Sequence, residues 1–180
     1  MNVLVPIANG SESLETVAIV NVLRRAGIAV CIASIEKSLT VSGTRELTLT
    51  ADAFYKDAEL REWDAIVLPG GLPGAEALGK YAPLIERLKR QRDCGKWYGG
   101  ICAAPAIALA RSGLLDGKRA TGYPGIDGIA NRVDEKVVVD GNCITSQGPG
   151  TAIAFGLKLV ELLTDSAKSR EVARTMLAAA

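Results

Sequence analysis

Apolar and polar positions along the chain fall into two kinds of segment that alternate. Unbroken apolar runs rich in β-branched residues occur at 2–7 (NVLVPI), 28–34 (IAVCIAS) and 65–68 (AIVL), and read as buried strands. Between them the apolar positions take helical spacing. Ser11 or Ser13 can cap a helix whose apolar face carries Val17, Val20 and Leu23. Arg24 and Arg25 fall in its last turn, where they suit the helix dipole, and Gly27 ends it. Residues 39–41 and 46–51 are extended, with a turn at Ser42 and Gly43. Residues 75–92 read as one or two helices, broken near Tyr81, Ala82 and Pro83. A strand at 96–101 leads to Cys102, and the alanine-rich stretch 103–111 predicts a mostly buried helix closed by Gly113. Short strands are expected at 119–121, 137–139 and 143–146, an amphipathic helix at 151–163 and a terminal helix at 169–180.

Strands that are continuously apolar are covered on both faces. Their alternation with helices predicts an α/β fold, a three-layer sandwich with a mainly parallel sheet. One domain is expected over 1–180, since neither a linker nor a repeat interrupts the pattern. Sites in such sheets form outside the carboxyl ends of the strands. The loops that gather there are 9–15, 69–74, 100–104 and 147–151.

Net charge changes the picture only by exclusion. At +1 it gives no electrostatic basis for binding nucleic acid or an anionic membrane, and no apolar run is long enough to span a bilayer. The first residues lack a basic segment ahead of their apolar run, so they are expected to be a strand and not a secretion signal. A cytoplasmic location follows as an expectation. The four cysteines, Cys31, Cys94, Cys102 and Cys143, match no C-x-x-C or zinc spacing and are expected to be reduced thiols. No metal or cofactor is expected. The chain contains no histidine, which excludes a Ser-His-Asp triad, a Cys-His dyad and an H-E-x-x-H zinc site.

One segment carries candidate chemistry. In Gly99-Gly100-Ile101-Cys102-Ala103-Ala104 a strand ends, one residue turns and a helix begins, with small neighbours that suit a strained elbow. A thiol at a helix N-terminus is expected to have a lowered pKa. The alternative is a small buried hydrophobe ending a strand. Gly70 and Gly71 end another strand and can turn backbone N–H groups toward a ligand oxygen, joined by the N–H of Ala103; on their own they read as a tight turn. Glu15 lies in the first turns of the first helix. It is either a capping carboxylate, a role that Glu12 fits better, or an acid that shares a proton with Cys102. Gly148-Pro149-Gly150-Thr151 is a turn entering a helix, read first as a cap, which beside the site could also shape a pocket wall. Cys31 and Cys143 sit in apolar strands and are expected to be core, whereas Cys94 ends a helix in RQRDCGK and is expected to be exposed.

Taken together, GSESLETV (10–17), LRRAGIAV (23–30), VLPGGLPGAE (67–76), GICAAPA (100–106) and TSQGPGTAIAFGLKLVELL (145–163) resemble the DJ-1/ThiJ/PfpI superfamily, in its DJ-1/YajL-like branch. The resemblance runs over nearly the whole chain. It implies a flavodoxin-like sandwich and a homodimer. It implies that Cys102 is the reactive, readily oxidised elbow cysteine, that Glu15 is the glutamate bonded to it, and that Gly70, Gly71 and Ala103 supply backbone facing a bound oxygen. Arg45 and Arg25 match arginines near the site or the dimer interface, Arg25 coming from the partner subunit. Tyr123, in Thr121-Gly122-Tyr123-Pro124, replaces a histidine found in several members, which argues against a Cys–His protease or amidotransferase. Gly43 and Thr50 stand where a family member has further cysteines, so oxidation switches assigned to those do not carry over.

The resemblance implies a glutathione-independent glyoxalase or deglycase acting on methylglyoxal-type aldehydes and their early adducts, with Cys102 as nucleophile and Glu15 as proton carrier. The alternative is an oxidative-stress sensor or redox-dependent chaperone that works through oxidation of Cys102 to sulfinate.

Overall fold

The computed structural model describes residues 1–178. In chain order the elements are β1 (Asn2–Ile7), α1 (Ser13–Arg25), β2 (Ala29–Ser34), β3 (Thr40–Ser42), β4 (Thr48–Thr50), β5 (Ala53–Phe54), α2 (Tyr55–Ala58), β6 (Ala65–Leu68), α3 (Leu72–Lys80) and α4 (Ala82–Asp93). There follow β7 (Trp97–Ile101), β8 (Arg119–Ala120), β9 (Asn131–Arg132), β10 (Val137–Asp140), β11 (Cys143–Ser146), α5 (Ala152–Leu163) and α6 (Ser166–Thr175).

The apolar runs assemble into one seven-stranded sheet in the order β10-β11-β7-β6-β1-β2-β5. All neighbours are parallel except β10 and β11, which pair antiparallel. The pleat sends alternate side chains to opposite faces. Val3, Val5 and Ile7 pack with Ile19 and Leu23 of α1, Phe155 and Leu159 of α5 and Val172 of α6. Leu4, Ile66 and Leu68 pack with Ala75 and Leu78 of α3 and Leu84 and Leu88 of α4. This is the expected α/β sandwich, with both faces of the sheet covered.

The topology also places a crevice. β1 pairs with β2 on one side and β6 on the other, and the chain changes sides between β5 and β6. Loops leaving the carboxyl ends of β1 and β6 therefore diverge, which is where open α/β sheets form sites.

Several expectations need correction. The break near Tyr81 is real, but α3 begins at Leu72, three residues before the expected 75, because Pro73 is tolerated in a first turn that needs no donor there. The stretch 103–111 is not a regular helix. Pro105–Leu109 winds as a π-helix and Ala110–Ser112 as a 3-10 turn, with Gly113 at φ +72° closing it as expected. Its small side chains pack closely on α3, where a Cβ on Gly79 would meet the Ala108 Cα at 3.1 Å. The last helix starts earlier than 169, capped by the Asp165 side chain accepting from Lys168 N at 2.8 Å, and ends at Thr175. Residues 179 and 180 of the expected helix lie outside the described residues. No helix among the described residues is long and apolar enough to cross a membrane.

Candidate functional site

Cys102 comes directly after the last residue of β7 and sits at φ +63°, a left-handed conformation that costs a non-glycine residue about 1–3 kcal/mol. Neighbouring structure holds it there. Its N–H donates to Ser146 O at 3.0 Å, and its carbonyl accepts from Tyr123 N at 2.8 Å. The strained elbow expected from the small residues is thus present. Backbone N–H groups of Gly71 and Ala103 hydrogen-bond the sulfur, and the residue is 8% exposed.

Glu15 comes to the same place from the other side of the crevice. Glu12 caps α1 by accepting from Glu15 N at 2.7 Å, leaving the Glu15 side chain one turn into the helix and fully buried. Its Oε2 accepts from Gly70 N at 2.7 Å. Its Oε1 has no hydrogen-bond partner among the described residues, and the carboxyl as a whole lies beside the Cys102 thiol.

Gly70 is what lets the two approach. A Cβ there would stand 2.5 Å from Cys102 Cβ and 2.8 Å from Glu15 Oε2, closer than atoms pack. Gly71 serves differently: at φ +80° it turns the chain into α3, and a Cβ would stand 2.1 Å from Gly10 O. The expectation that both glycines offer N–H groups to a ligand is corrected. The Gly70 N–H is taken by Glu15, and only Gly71 joins Ala103 at the sulfur.

The ionisation of the pair also departs from expectation. Burial, then the charge of Glu15 and a hydrogen bond to it, push the Cys102 thiol up to about 12, against the lowering effect of the Gly71 and Ala103 amides. Burial pushes Glu15 up to about 7, against hydrogen bonds from Gly70 and Cys102. The expected lowering by a helix N-terminus fails for a structural reason. Burial, with Glu15 beside the thiol, outweighs the lowering by the Gly71 and Ala103 amides, although helical turns do run on from Ala104 to Ser112. The two shifts describe one coupled pair that gives up its first proton near neutrality, not a free acidic thiol.

The supporting residues divide. The Tyr123 ring lies against Gly148, whose added Cβ would be 3.4 Å from Tyr123 Cδ2, so the two form one rim beside the elbow. Pro149 opens the short 3-10 turn that leads into α5. Arg45 is exposed at φ +56° on the tip of the β3–β4 hairpin. That tip docks on the start of α1, with Thr44 N donating to Ser11 O at 3.0 Å and Thr44 Oγ1 to Glu12 Oε1 at 2.9 Å. Arg25 bonds Asn21 Oδ1 at 2.8 Å and lies about 15 Å along α1 from Glu15, so it does not reach the site of its own chain.

The sequence did not single out Ser146 or Arg132. Ser146 Oγ bonds Thr151 Oγ1 at 2.7 Å and Lys136 O at 2.7 Å, bracing the strand end that holds Cys102 N. Only the position of Ser146 at the end of an apolar strand hinted at this. Among the described residues no group of three or more His, Cys, Asp or Glu side chains is placed to bind a metal.

Comparison with known proteins shows what the chain as a whole resembles. The DJ-1/PfpI family profile matches residues 1–162. Protein DJ-1 homolog B of Arabidopsis thaliana is 43% identical over 178 residues, covering 97% of this chain and 41% of that protein. The chain spans less than half the length of either Arabidopsis homolog, B at 41% or A at 45%. A protein of Schizosaccharomyces pombe named glutathione-independent glyoxalase DJ-1 is 30% identical over 184 residues, covering 94% of this chain and 95% of that one. The solved structure described as Toxoplasma gondii DJ-1, oxidized, superposes with a TM-score of 0.96 at 38% identity, covering 99% of both chains. The chain belongs to the DJ-1/PfpI family.

Proposed function

We propose that this chain is a cofactor-independent glyoxalase or deglycase, in which Cys102 is the nucleophile and Glu15 the proton carrier. The observation that carries the proposal is the pairing of a fully buried, incompletely bonded carboxyl with an elbow thiol that receives two backbone amides. The name of the S. pombe relative supports the substrate class.

The singly ionised pair has two forms. With the proton on sulfur, the carboxylate keeps the Gly70 amide. With the proton on Glu15, the thiolate keeps the Gly71 and Ala103 amides and gains the carboxyl O–H. The second form attacks the aldehyde carbon of methylglyoxal. A C–S bond forms, and Glu15 delivers its proton to the new alkoxide, giving a hemithioacetal. Glu15, now a carboxylate, removes the hydrogen of that carbon as a proton to give an enediolate and returns it to the neighbouring carbon, while the proton of the first carbon's hydroxyl passes to the former ketone oxygen, leaving a lactoyl thioester. Water cleaves the thioester, releasing lactate and restoring the pair. The sum is methylglyoxal plus water to lactate, with one carbon oxidised and its neighbour reduced, so no external oxidant is required. With no imidazole in the chain, one carboxyl makes every transfer.

Lactate production from methylglyoxal tests this. Folded Cys102→Ala and Glu15→Gln variants are expected to lose it, and unchanged production by Cys102→Ala would end the proposal.

A second reading is oxidation of Cys102 to sulfinate in a redox sensor or chaperone, the new oxygens being held by the Gly71 and Ala103 amides and by Glu15. The description of the T. gondii relative as oxidized favours it. Mass spectrometry after mild peroxide tests it; oxidation at Cys94 in preference to Cys102 would count against it.

A cytoplasmic homodimer is part of the proposal. Leu14 and Val17, three residues apart on α1, are 55% and 56% exposed, and Leu47 on the hairpin tip is 55% exposed. Sedimentation at micromolar concentration is expected to show a dimer, and a monomer there would remove this part.

A further inference from the structure

We infer that Arg132 is a positioning residue for Cys102, acting as a clamp on the loop that carries Tyr123; the inference rests on the reactive-cysteine reading above. The parallel pairing of β8 and β9 sets Ala120 opposite Arg132 and is extended by Val133 N donating to Ala120 O at 2.9 Å. The loop that leaves β8 therefore starts directly beside the guanidinium. Arg132 Nη1 donates to Gly122 O at 3.2 Å and Tyr123 O at 3.3 Å, and Nη2 donates to Ile126 O. One rigid planar fork thus fixes three main-chain carbonyls within five residues, which a flexible ammonium point charge does not reproduce.

The clamped segment reaches the elbow by two routes. Tyr123 N donates to Cys102 O at 2.8 Å. Gly122 lies so close that a Cβ there would stand 3.1 Å from both Cys102 O and Ile129 Cδ1. The loop also contains Gly125 at φ +84° and Gly128 at φ +121°; besides Arg132 it is held by Ile126 and Ile129 packing on the core and by Ile126 N donating to Tyr123 O at 3.3 Å. Cys102 is held at φ +63° by its neighbours, and its carbonyl is fixed from this loop. Arg132 touches neither sulfur nor substrate; it acts through the Tyr123–Cys102 hydrogen bond.

The test compares Arg132→Ala and Arg132→Lys with the unaltered chain on three readouts. Hydrogen exchange of the Tyr123 N–H reports the bond to Cys102 directly and is expected to accelerate at least tenfold in Arg132→Ala. The rate of Cys102 alkylation as a function of pH is expected to change in midpoint or amplitude. With methylglyoxal, kcat is expected to fall about tenfold with KM within twofold, as suits a displaced nucleophile. Arg132→Lys is expected to be intermediate on all three, and it carries the test alone if Arg132→Ala fails to fold. Unchanged Tyr123 protection overturns the inference. Lost protection with an unaltered alkylation profile also overturns it, since the clamp would then serve the loop alone. If the unaltered chain makes no lactate, the glyoxalase proposal fails, while exchange and alkylation still decide the role of Arg132.

Discussion

Two buried thiols occupy one pair of strands. Cys102 stands just past the end of β7, and Cys143 opens the neighbouring β11, where it pairs with Tyr98 at the other end. Exposure is 8% for Cys102 and 2% for Cys143, and burial is the main cause that pushes each thiol up to about 12. By burial and thiol basicity they are nearly the same. Their partners differ. Beside Cys143 is the Tyr98 hydroxyl, which donates to Leu114 O at 2.8 Å. Beside Cys102 are two backbone amides and a buried acid. A site arises here from a group that can take and return the proton of the thiol, and only one of the two cysteines has it.

The sharpest way to break this comparison is to follow stability against pH. Glu15 keeps its proton in the folded chain to about pH 7, against 4.5 as its ordinary value. Between these values the unfolded chain binds fewer protons, so folding weakens as pH rises. The contribution is complete below pH 4.5 and lost as pH climbs through 7; for a shift from 4.5 to about 7 it amounts to about 3 kcal/mol. Urea unfolding at pH 5 and pH 8 measures it. Glu15→Gln is expected to flatten the slope, whereas Cys143→Ala leaves it intact. A slope unchanged by Glu15→Gln would mean that the buried acid titrates normally.

Chemical selectivity comes next. In a Cys94→Ser background, which removes the exposed thiol, iodoacetamide at pH 8 is expected to modify Cys102 on the order of 100-fold faster than Cys143. The Cys102 rate is expected to rise through about pH 7, where the pair releases its first proton. Equal labelling, read by peptide mass spectrometry, would erase the distinction between the two thiols.

Packing gives a smaller effect. Gly70→Ala forces a Cβ to 2.5 Å from Cys102 Cβ and 3.0 Å from Ile101 O, so it is expected to cost about 2 kcal/mol and to slow Cys102 modification. Gly150→Ala is the control, since nothing lies within 4 Å of an added Cβ there. Unfolding midpoints of the two variants separate crowding at the site from a general intolerance of alanine.

Legibility in the sequence tracks physical range. β1, β2, β6, β7 and β11 were readable because a buried parallel strand needs an uninterrupted apolar run. Glu12 as the α1 cap was readable from its place before the helix, although Ser11 and Ser13 were the first candidates; Ser11 Oγ instead accepts from Ala8 N at 3.0 Å. The meeting of Glu15, Gly70 and Cys102 was expected partly from the loops gathered at one sheet edge and partly from the family resemblance. The direction of the thiol shift was not readable, because it depends on how deeply the elbow is buried and on how near Glu15 comes to it. β5, α2 and β9, and the pairing of β9 with the expected strand β8, escaped for another reason: two to four residues carry no period. Arg132 escaped with them, since its three carbonyl partners are set by a pairing that leaves no pattern in the sequence.

The smallest effect tests the comparison from its quiet side. Cys143→Ala removes one sulfur from a strand interior and is expected to cost about 1 kcal/mol, the scale of a small buried truncation. Yet β11 is also the strand whose Ser146 carbonyl accepts the Cys102 N–H at 3.0 Å, and Ser146 is itself tied to Thr151 and Lys136. If the elbow depends on that bracing and not on the sulfur at the strand's start, the pH profile of Cys102 alkylation stays where it was. Ser146→Ala, which removes two hydrogen bonds at the braced end, is the matching variant and is expected to move that profile while leaving Cys143 equally buried. A Cys143→Ala variant that shifts the profile as far as Ser146→Ala would show that the two thiols report one packed strand, and that proximity of Glu15 alone does not set them apart.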